Sequence, residues 1–191
     1  MLSTRFTLHS LVTEAQKTIL PYLSDQSISI DATMGNGHDT LFLAKHSLKV
    51  YAFDIQENAI NATRTRLEKN NCIANVSLIL AGHETMSQHI NPEEKADAIL
   101  FNLGYLPHAD TSIITQEKNT ITALNYAINL LGAKGILSIL AYPGHTGGSN
   151  EMQAVIHWYE RLNSSDFAIT IIHSMHEKTN SPRLFTLQKS Q

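Results

Sequence analysis

The run Asp31-Ala32-Thr33-Met34-Gly35-Asn36-Gly37-His38-Asp39 ends a short apolar stretch with an acid and then a glycine turn. Gly35 and Gly37 permit positive φ and let backbone approach a ligand closely. A dinucleotide site asks for a third glycine and a pyrophosphate at the following helix N-terminus. Here that third position is Thr40, and Asp39 puts a carboxylate at the helix start. A carboxylate there repels a pyrophosphate and favours a cationic or zwitterionic ligand. S-adenosyl-L-methionine has an amino group, a sulfonium and no phosphate, so Asp31, Gly35, Gly37 and Asp39 are candidate residues for holding it.

A second acid, Asp54, lies 23 residues after Asp31 in Phe53-Asp54-Ile55-Gln56. A carboxylate at the end of the second strand can take both ribose hydroxyls of an adenosyl ligand, and Ile55 can pack on its adenine. NAD sites share this feature, so it does not choose between the two cofactors. Gly82 and His83 follow a third apolar run, where His83 either touches the adenine edge or caps a helix.

The transfer chemistry is written in Phe101-Asn102-Leu103-Gly104-Tyr105-Leu106-Pro107. Amino-group methyltransferases often carry an acid, Asn or Ser here, then two prolines and an aromatic residue. Asn102 and Tyr105 hold the outer positions, with Leu103 and Gly104 in place of the prolines. An Asn102 oxygen and a nearby backbone carbonyl can accept hydrogen bonds from an amine and aim its lone pair at a methyl group. Tyr105 can stack on a flat ring. Positioning is then the main catalytic effect. A protonated amine must first lose a proton, and His145 and Asp110 are candidate helpers. His145 sits in Ala141-Tyr142-Pro143-Gly144-His145-Thr146-Gly147-Gly148, a loop shaped by three glycines and a proline. The bland alternative is that Asn102 caps a strand and Tyr105 belongs to the core.

These residues need a scaffold that brings strand ends together. Apolar runs predict strands at 28–32, 50–53, 76–80, 97–101, 136–141, 167–173 and 184–187. Helical spacing predicts helices at 8–23, 39–46, 58–70, 115–131 and 150–162, with Pro21 ending the first and a short helix after Gly82. Alternating strands and helices predict an α/β fold, a doubly wound, mostly parallel seven-stranded sheet. The last two strands have only a polar turn between them, so the terminal strand is expected to be antiparallel. Ligands bind at the carboxyl ends of such strands.

The chain has 191 residues, 42% apolar and 16% charged, which fits one globular domain spanning 1–191. Its net charge of −3 excludes a histone-like polycation but not a local basic patch. Cys72 is the one cysteine, so neither an internal disulfide nor a cysteine-rich zinc site can form. The pairs His173/His176 and His83/His89 have no clear metal partners, and no metal is assigned. The first residues do not read as a secretory signal and no window is apolar enough to span a membrane, so a soluble, cytoplasmic protein is expected.

The stretches Asp31 to Ala44, Phe53 to Gln56, Phe101 to Pro107 and Tyr142 to Gly148 with Glu151 resemble one small bacterial family, long labelled rRNA methylase. Its members are class I, Rossmann-like S-adenosylmethionine-dependent methyltransferases. The resemblance implies methylation of an aminomethyl group on the tRNA wobble uridine, giving 5-methylaminomethyl-2-thiouridine. It also implies that Asn36, Gly37, Asp54, Gln56 and His83 line the cofactor, and that Asn102, Tyr105 and His145 face the substrate amine. The chain departs from the family pattern at His108-Ala109-Asp110-Thr111, where a Gly-Gly-Asp-Lys is usual, and at Ser181-Pro182-Arg183. Alternatives are methylation of rRNA or of a small-molecule amine, an adenosyl-ligand binder without activity, and an NAD oxidoreductase. For a tRNA substrate, thinly spread basic residues must converge near the mouth, or a homodimer must join two weak patches.

Overall fold

Every second residue of the central strands belongs to a different core, and that alternation sets the architecture. In β4 (Ala96–Leu103), Ile99, Phe101 and Leu103 join one apolar cluster while Ala98 and Leu100 join another. β5 (Leu131–Ala141) divides likewise, with Leu137, Ile139 and Ala141 set against Ile136. Side chains alternate across a strand, so helices must cover both faces of the sheet, as parallel strands require. One face is covered by α4 (Glu117–Leu130) and α5 (Gly148–Glu160), through Ala123, Leu124, Val155 and Trp158. The other is covered by α1 (Leu8–Ile19), α2 (His38–Ala44) and α3 (Glu57–Lys69), through Ile19, Leu43 and Leu67. The computed structural model describes residues 8–104, 115–144, 147–173 and 181–190.

The remaining strands are β1 (Ile28–Asp31), β2 (Lys49–Asp54), β3 (Val76–Leu80), β6 (Phe167–His173) and β7 (Arg183–Lys189). They form one seven-stranded sheet in the order β3-β2-β1-β4-β5-β7-β6. β1 to β5 pair in parallel, and β7 is antiparallel to both β5 and β6. The sheet is the α/β, mostly parallel one that the sequence predicts, with its antiparallel last strand. The sequence does not predict that β7 inserts between β5 and β6. Leu184, Phe185, Thr186 and Leu187 are all buried, so β7 needs cover on both faces. β6 has no buried position and suits an edge.

Some boundaries also move. The first helix gives way after Ile19 to a 3-10 turn, Leu20–Tyr22, that contains Pro21. α4 starts at Glu117, two residues later than the pattern suggests, which frees Thr115 and Gln116 for the site. β5 starts at Leu131, with Lys134 at φ 62° and a register shift between Ala96 and Ala98. No helix among the described residues is long and apolar enough to cross a membrane.

The strand order reverses between β1 and β4, which opens a crevice at their carboxyl ends. The seam between them continues past the strands. The Ala32 amide donates to the Leu100 carbonyl at 2.8 Å, and the Asn102 amide donates to Thr33 Oγ1 at 2.7 Å.

Gly37 joins this crevice to the helices. It sits at φ 74° just before α2, and a Cβ there would lie 2.7–2.8 Å from Thr63 of α3. The left-handed backbone and the close helix approach both require glycine. Gly37→Ala is expected to cost about 2–4 kcal/mol by adding strain and a clash, read as a lower thermal midpoint in a calorimetric scan.

Candidate functional site

A cleft of about 340 Å³ lies at the carboxyl edge of the sheet, over the seam of β1 and β4. Its floor is Ala32 to Asn36, the loop after β1. One wall is Asp54 to Gln56 after β2 and Ala81 to Glu84 after β3. The opposite wall is Asn102 near the end of β4 and Gly104 just after it, with Tyr142 after β5. Val12 reaches in from α1, His38 and Asp39 from α2, and Thr115, Gln116 and Asn119 from the approach to α4.

Asp54 is tied by backbone on both oxygens. Oδ2 accepts the Gly35 amide at 3.0 Å and Oδ1 accepts the Gln56 amide at 2.9 Å. Each carboxylate oxygen can accept about two hydrogen bonds, so each retains a lone pair for a ligand hydroxyl. Burial pushes the Asp54 carboxyl upward, against those amide bonds. Gly35 has φ 50°, and its carbonyl accepts Thr63 Oγ1 at 3.0 Å, so the glycine turn is fixed from two sides.

His83 is buried, and its Nδ1 lies 3.2 Å from the Ala32 carbonyl. A carbonyl only accepts, so Nδ1 carries the hydrogen and Nε2 presents a lone pair. Burial lowers the His83 pKa and keeps the ring neutral. An edge-to-face contact with Phe101, at 5.6 Å between centroids, fixes its plane.

Across the cleft, Asn102 Nδ2 donates to Asp39 Oδ2 at 2.6 Å, and Gln16 Nε2 donates to Asp39 Oδ1 at 2.6 Å. The carboxylate between two amides settles which end of each amide faces it. Asn102 Oδ1 is thereby turned away from Asp39, and no donor among the described residues reaches it. Burial and the Asp39 charge raise the Tyr142 pKa, so its phenol keeps its proton.

The family model described as "Putative rRNA methylase" matches residues 50–188. The chain belongs to this family. A protein of the same description from Clostridium thermocellum is 32% identical over 98% of this chain and 100% of its own, with a TM-score of 0.89. A Streptococcus mutans protein described as a putative methyltransferase, solved in complex with SAH, is 38% identical, with a TM-score of 0.86. That alignment covers 93% of this chain and 97% of the other. An Arabidopsis thaliana protein named a chloroplastic tRNA (mnm(5)s(2)U34)-methyltransferase is 35% identical over 152 residues, 72% of this chain. The chain spans about half the length of that curated relative, 54%.

Within this methylase fold, Gly35, Asn36, Asp39, Asp54, Gln56, Gly82, His83 and Asn102 all line the cleft. Two residues expected there do not. Asp31 is fully buried and points from β1 toward α2, where Oδ2 accepts Thr40 Oγ1 at 2.6 Å and Oδ1 accepts the Thr33 amide at 3.2 Å. Its place in the strand sends the side chain to the α2 face, below the loop. Gly37 serves the contact of α2 with α3. Tyr105, His145 and Asp110 lie outside the described residues.

Sequence reasoning missed Gln16, Thr33, Tyr142 and Glu151 as structural members of the site. The sequence marks Glu151 only through the family resemblance. It is buried, and accepts Thr115 Oγ1 at 2.7 Å and Thr120 Oγ1 at 2.6 Å. Thr115 Oγ1 also accepts the Gly104 amide at 2.9 Å, so Glu151 braces the residues flanking 105–114.

Burial, then the nearby charge of Asp39, push the Asp31 carboxyl up to about 7. An unfolded aspartate titrates near 3.9. Between about pH 4 and 7 the folded chain therefore holds a proton that the unfolded chain has lost, and Asp31 makes stability fall as pH rises. Asp31→Asn keeps the shape without the charge. Its stability relative to wild type is expected to improve from pH 4 to 7 and then level, by an amount on the order of a few kcal/mol. Denaturant melts at several pH values measure this.

Proposed function

We propose that the chain is an S-adenosyl-L-methionine-dependent RNA N-methyltransferase, with 5-aminomethyl-2-thiouridine at the tRNA wobble position as its substrate. The observation that carries this reading is Asn102. Its amide is anchored to Asp39, and among the described residues no donor reaches its oxygen, which stands beside a cleft whose far wall carries the Asp54 carboxylate. The product named for the Arabidopsis relative supports the choice of amine. The whole stretch 1–191 reads as one methyltransferase domain.

The residues fit the methyl donor. Asp54 has lone pairs for two ribose hydroxyls, His83 Nε2 can accept from an adenine amino group, and Ile55 is 58% exposed at the cleft and apolar. Gln56 and Gly82 complete that wall, Gly35 and Asn36 lie on the floor beside it, and the carboxylate of Asp39 favours a cationic group. When bound, the donor supplies an electrophilic methyl on a sulfonium. Asn102 Oδ1 accepts a hydrogen bond from the substrate nitrogen and directs its lone pair. The neutral Tyr142 phenol offers a donor nearby. Tyr105 and His145 are assigned the ring stack and the substrate contact. Positioning of this kind accounts for most of the rate enhancement such a displacement needs.

The competing reading on the same site is a small-molecule amine, favoured by the acidic balance of 17 acids to 14 bases. RNA binding should weaken steeply with added salt, because each phosphate contact releases counterions. For a tRNA substrate, a homodimer is the assembly that would bring the thinly spread basic residues of two chains together.

Calorimetric titration is expected to show binding of S-adenosylmethionine and S-adenosylhomocysteine and none of NAD. Asp54→Ala should weaken S-adenosylhomocysteine binding by about 1.5–3 kcal/mol for each hydroxyl bond lost. Asn102→Ala should leave that affinity nearly intact and lower turnover on tRNA lacking the methyl group. Loss of cofactor binding in Asn102→Ala, with turnover per bound cofactor unchanged, would refute the assignment.

A further inference from the structure

The N-terminal helix α1 sends a polar side chain, Gln16, to Asp39, a residue that lines the cleft. Leu11, Ala15 and Ile19 are buried and fix α1 on the sheet, Leu11 and Ala15 packing with Leu140 and Leu184. Val12 and Gln16 are also four residues apart and share the neighbouring stripe of the helix. Val12 lines the cleft, and Gln16 reaches the carboxylate of Asp39.

We propose that Gln16 is a positioning residue for the transfer step. Through Asp39 it holds the Asn102 amide with Oδ1 turned to the substrate. This rests on the role given to Asn102 above.

Three features of the structure support it. Both Asp39 oxygens are engaged by amide donors at 2.6 Å, so one carboxylate orientation satisfies two partners at once. The Asn102 backbone is separately fixed by Thr33 Oγ1, which leaves the terminal amide as the part that needs holding. A carboxylate cannot donate, so Nδ2 must face Asp39 and Oδ1 must face away. Without Gln16, Asp39 loses one of its two anchors and can rotate, and Asn102 can rotate with it. Asp39 is also faced by Asp31 from β1, His38 from its own helix and Tyr142 from the end of β5. These are the groups a pH test must take into account.

The test uses three variants of the full chain: Gln16→Ala, Gln16→Glu and, as a control on the middle link, Asp39→Asn. The first readout is independent of activity. In nitrogen-edited NMR spectra the Asn102 side-chain amide, assigned by its absence in Asn102→Ala, is expected to shift and exchange faster in Gln16→Ala and Asp39→Asn. The second is kinetic. Gln16→Ala is expected to lower kcat about tenfold, the scale of one hydrogen bond to a charged group. Its affinity for S-adenosylhomocysteine should stay within about twofold.

The third readout is a pH profile. In Gln16→Glu a protonated carboxylic acid can donate to Asp39 as the amide does, and an ionised one repels it. Its activity relative to wild type should therefore fall as pH rises. An unchanged Asn102 amide signal in Gln16→Ala would overturn the proposal, as would a flat activity ratio in Gln16→Glu. A loss of cofactor affinity equal to the loss of kcat would also overturn it, because Gln16 would then act on the cofactor. Wild-type protein that transfers no methyl to tRNA, with the amide signals moving as expected, would instead refute the proposed function and leave the Gln16–Asp39–Asn102 link standing.

Discussion

The pairing of β1 with β4 is the constraint on which the site depends. The chain returns from β3 to lie against β1 on its other side, and this alone brings the glycine turn and Asn102 together. The seam does not stop where the strands stop. The bonds from Ala32 to Leu100 and from Asn102 to Thr33 carry it two residues into the loop after β1, where regular pairing would normally fray. The strand alternation then does the rest. Asn102 shares parity with Ala98 and Leu100, whose cluster faces α1, α2 and α3, so its side chain meets α2 and α1 rather than the opposite core. A slip of one residue in β4 would exchange Asn102 for an apolar neighbour.

Three aspartates crowd this edge, and the protein handles each differently. Asp31 is buried and pushed up to about 7, so near neutrality much of it is uncharged. Asp54 is fixed by backbone amides that oppose the upward push of burial. Asp39 is bound by two side-chain amides, which compensate its charge without cancelling it. The result is a cleft with negative character near Asn102. A cationic ligand relieves that crowding and a phosphate aggravates it, which is the physical reason a sulfonium suits this cleft better than a pyrophosphate.

Much of this was legible in the sequence because it rests on local pattern. Apolar runs, glycine turns and the acid ending β2 each act within a few residues, and Gly35, Asp54, His83 and Asn102 all reach the cleft from the strand ends and turns where the pattern put them. Asp31 and Gly37 show the limit of that reasoning. Each sits one or two residues from a cleft residue, but side-chain direction in β1 and helix proximity at α2 decide what they touch. Gln16 lies 23 positions from its partner, and Asn102 lies 63 from the same carboxylate, so no spacing rule links them. The insertion of β7 was hidden for a similar reason. It follows from burial on both faces, which depends on which strand neighbours it.

Glu151 shows how the far side of the cleft is held. It stands in the first turn of α5, where a carboxylate is favoured by the helix dipole. Its two oxygens reach Thr120 on α4 and Thr115 just before it. Thr115 in turn accepts the Gly104 amide and donates its own amide to the Gly104 carbonyl at 2.9 Å. The same helix fixes the end of β5, where Ser149 Oγ donates to the Pro143 carbonyl at 3.2 Å. One buried acid thus ties two helices to the exit of β4, on the face opposite Gln16. The cleft is braced from both faces of the sheet by carboxylates that accept from neutral donors. Hydrogen bonds to a charged acceptor are about twice as strong as neutral ones, so both braces are stiff where Asn102 and Gly104 leave the sheet. A stiff exit is what a reaction governed by positioning requires, because a displacement of about 1 Å in a near-attack geometry is costly.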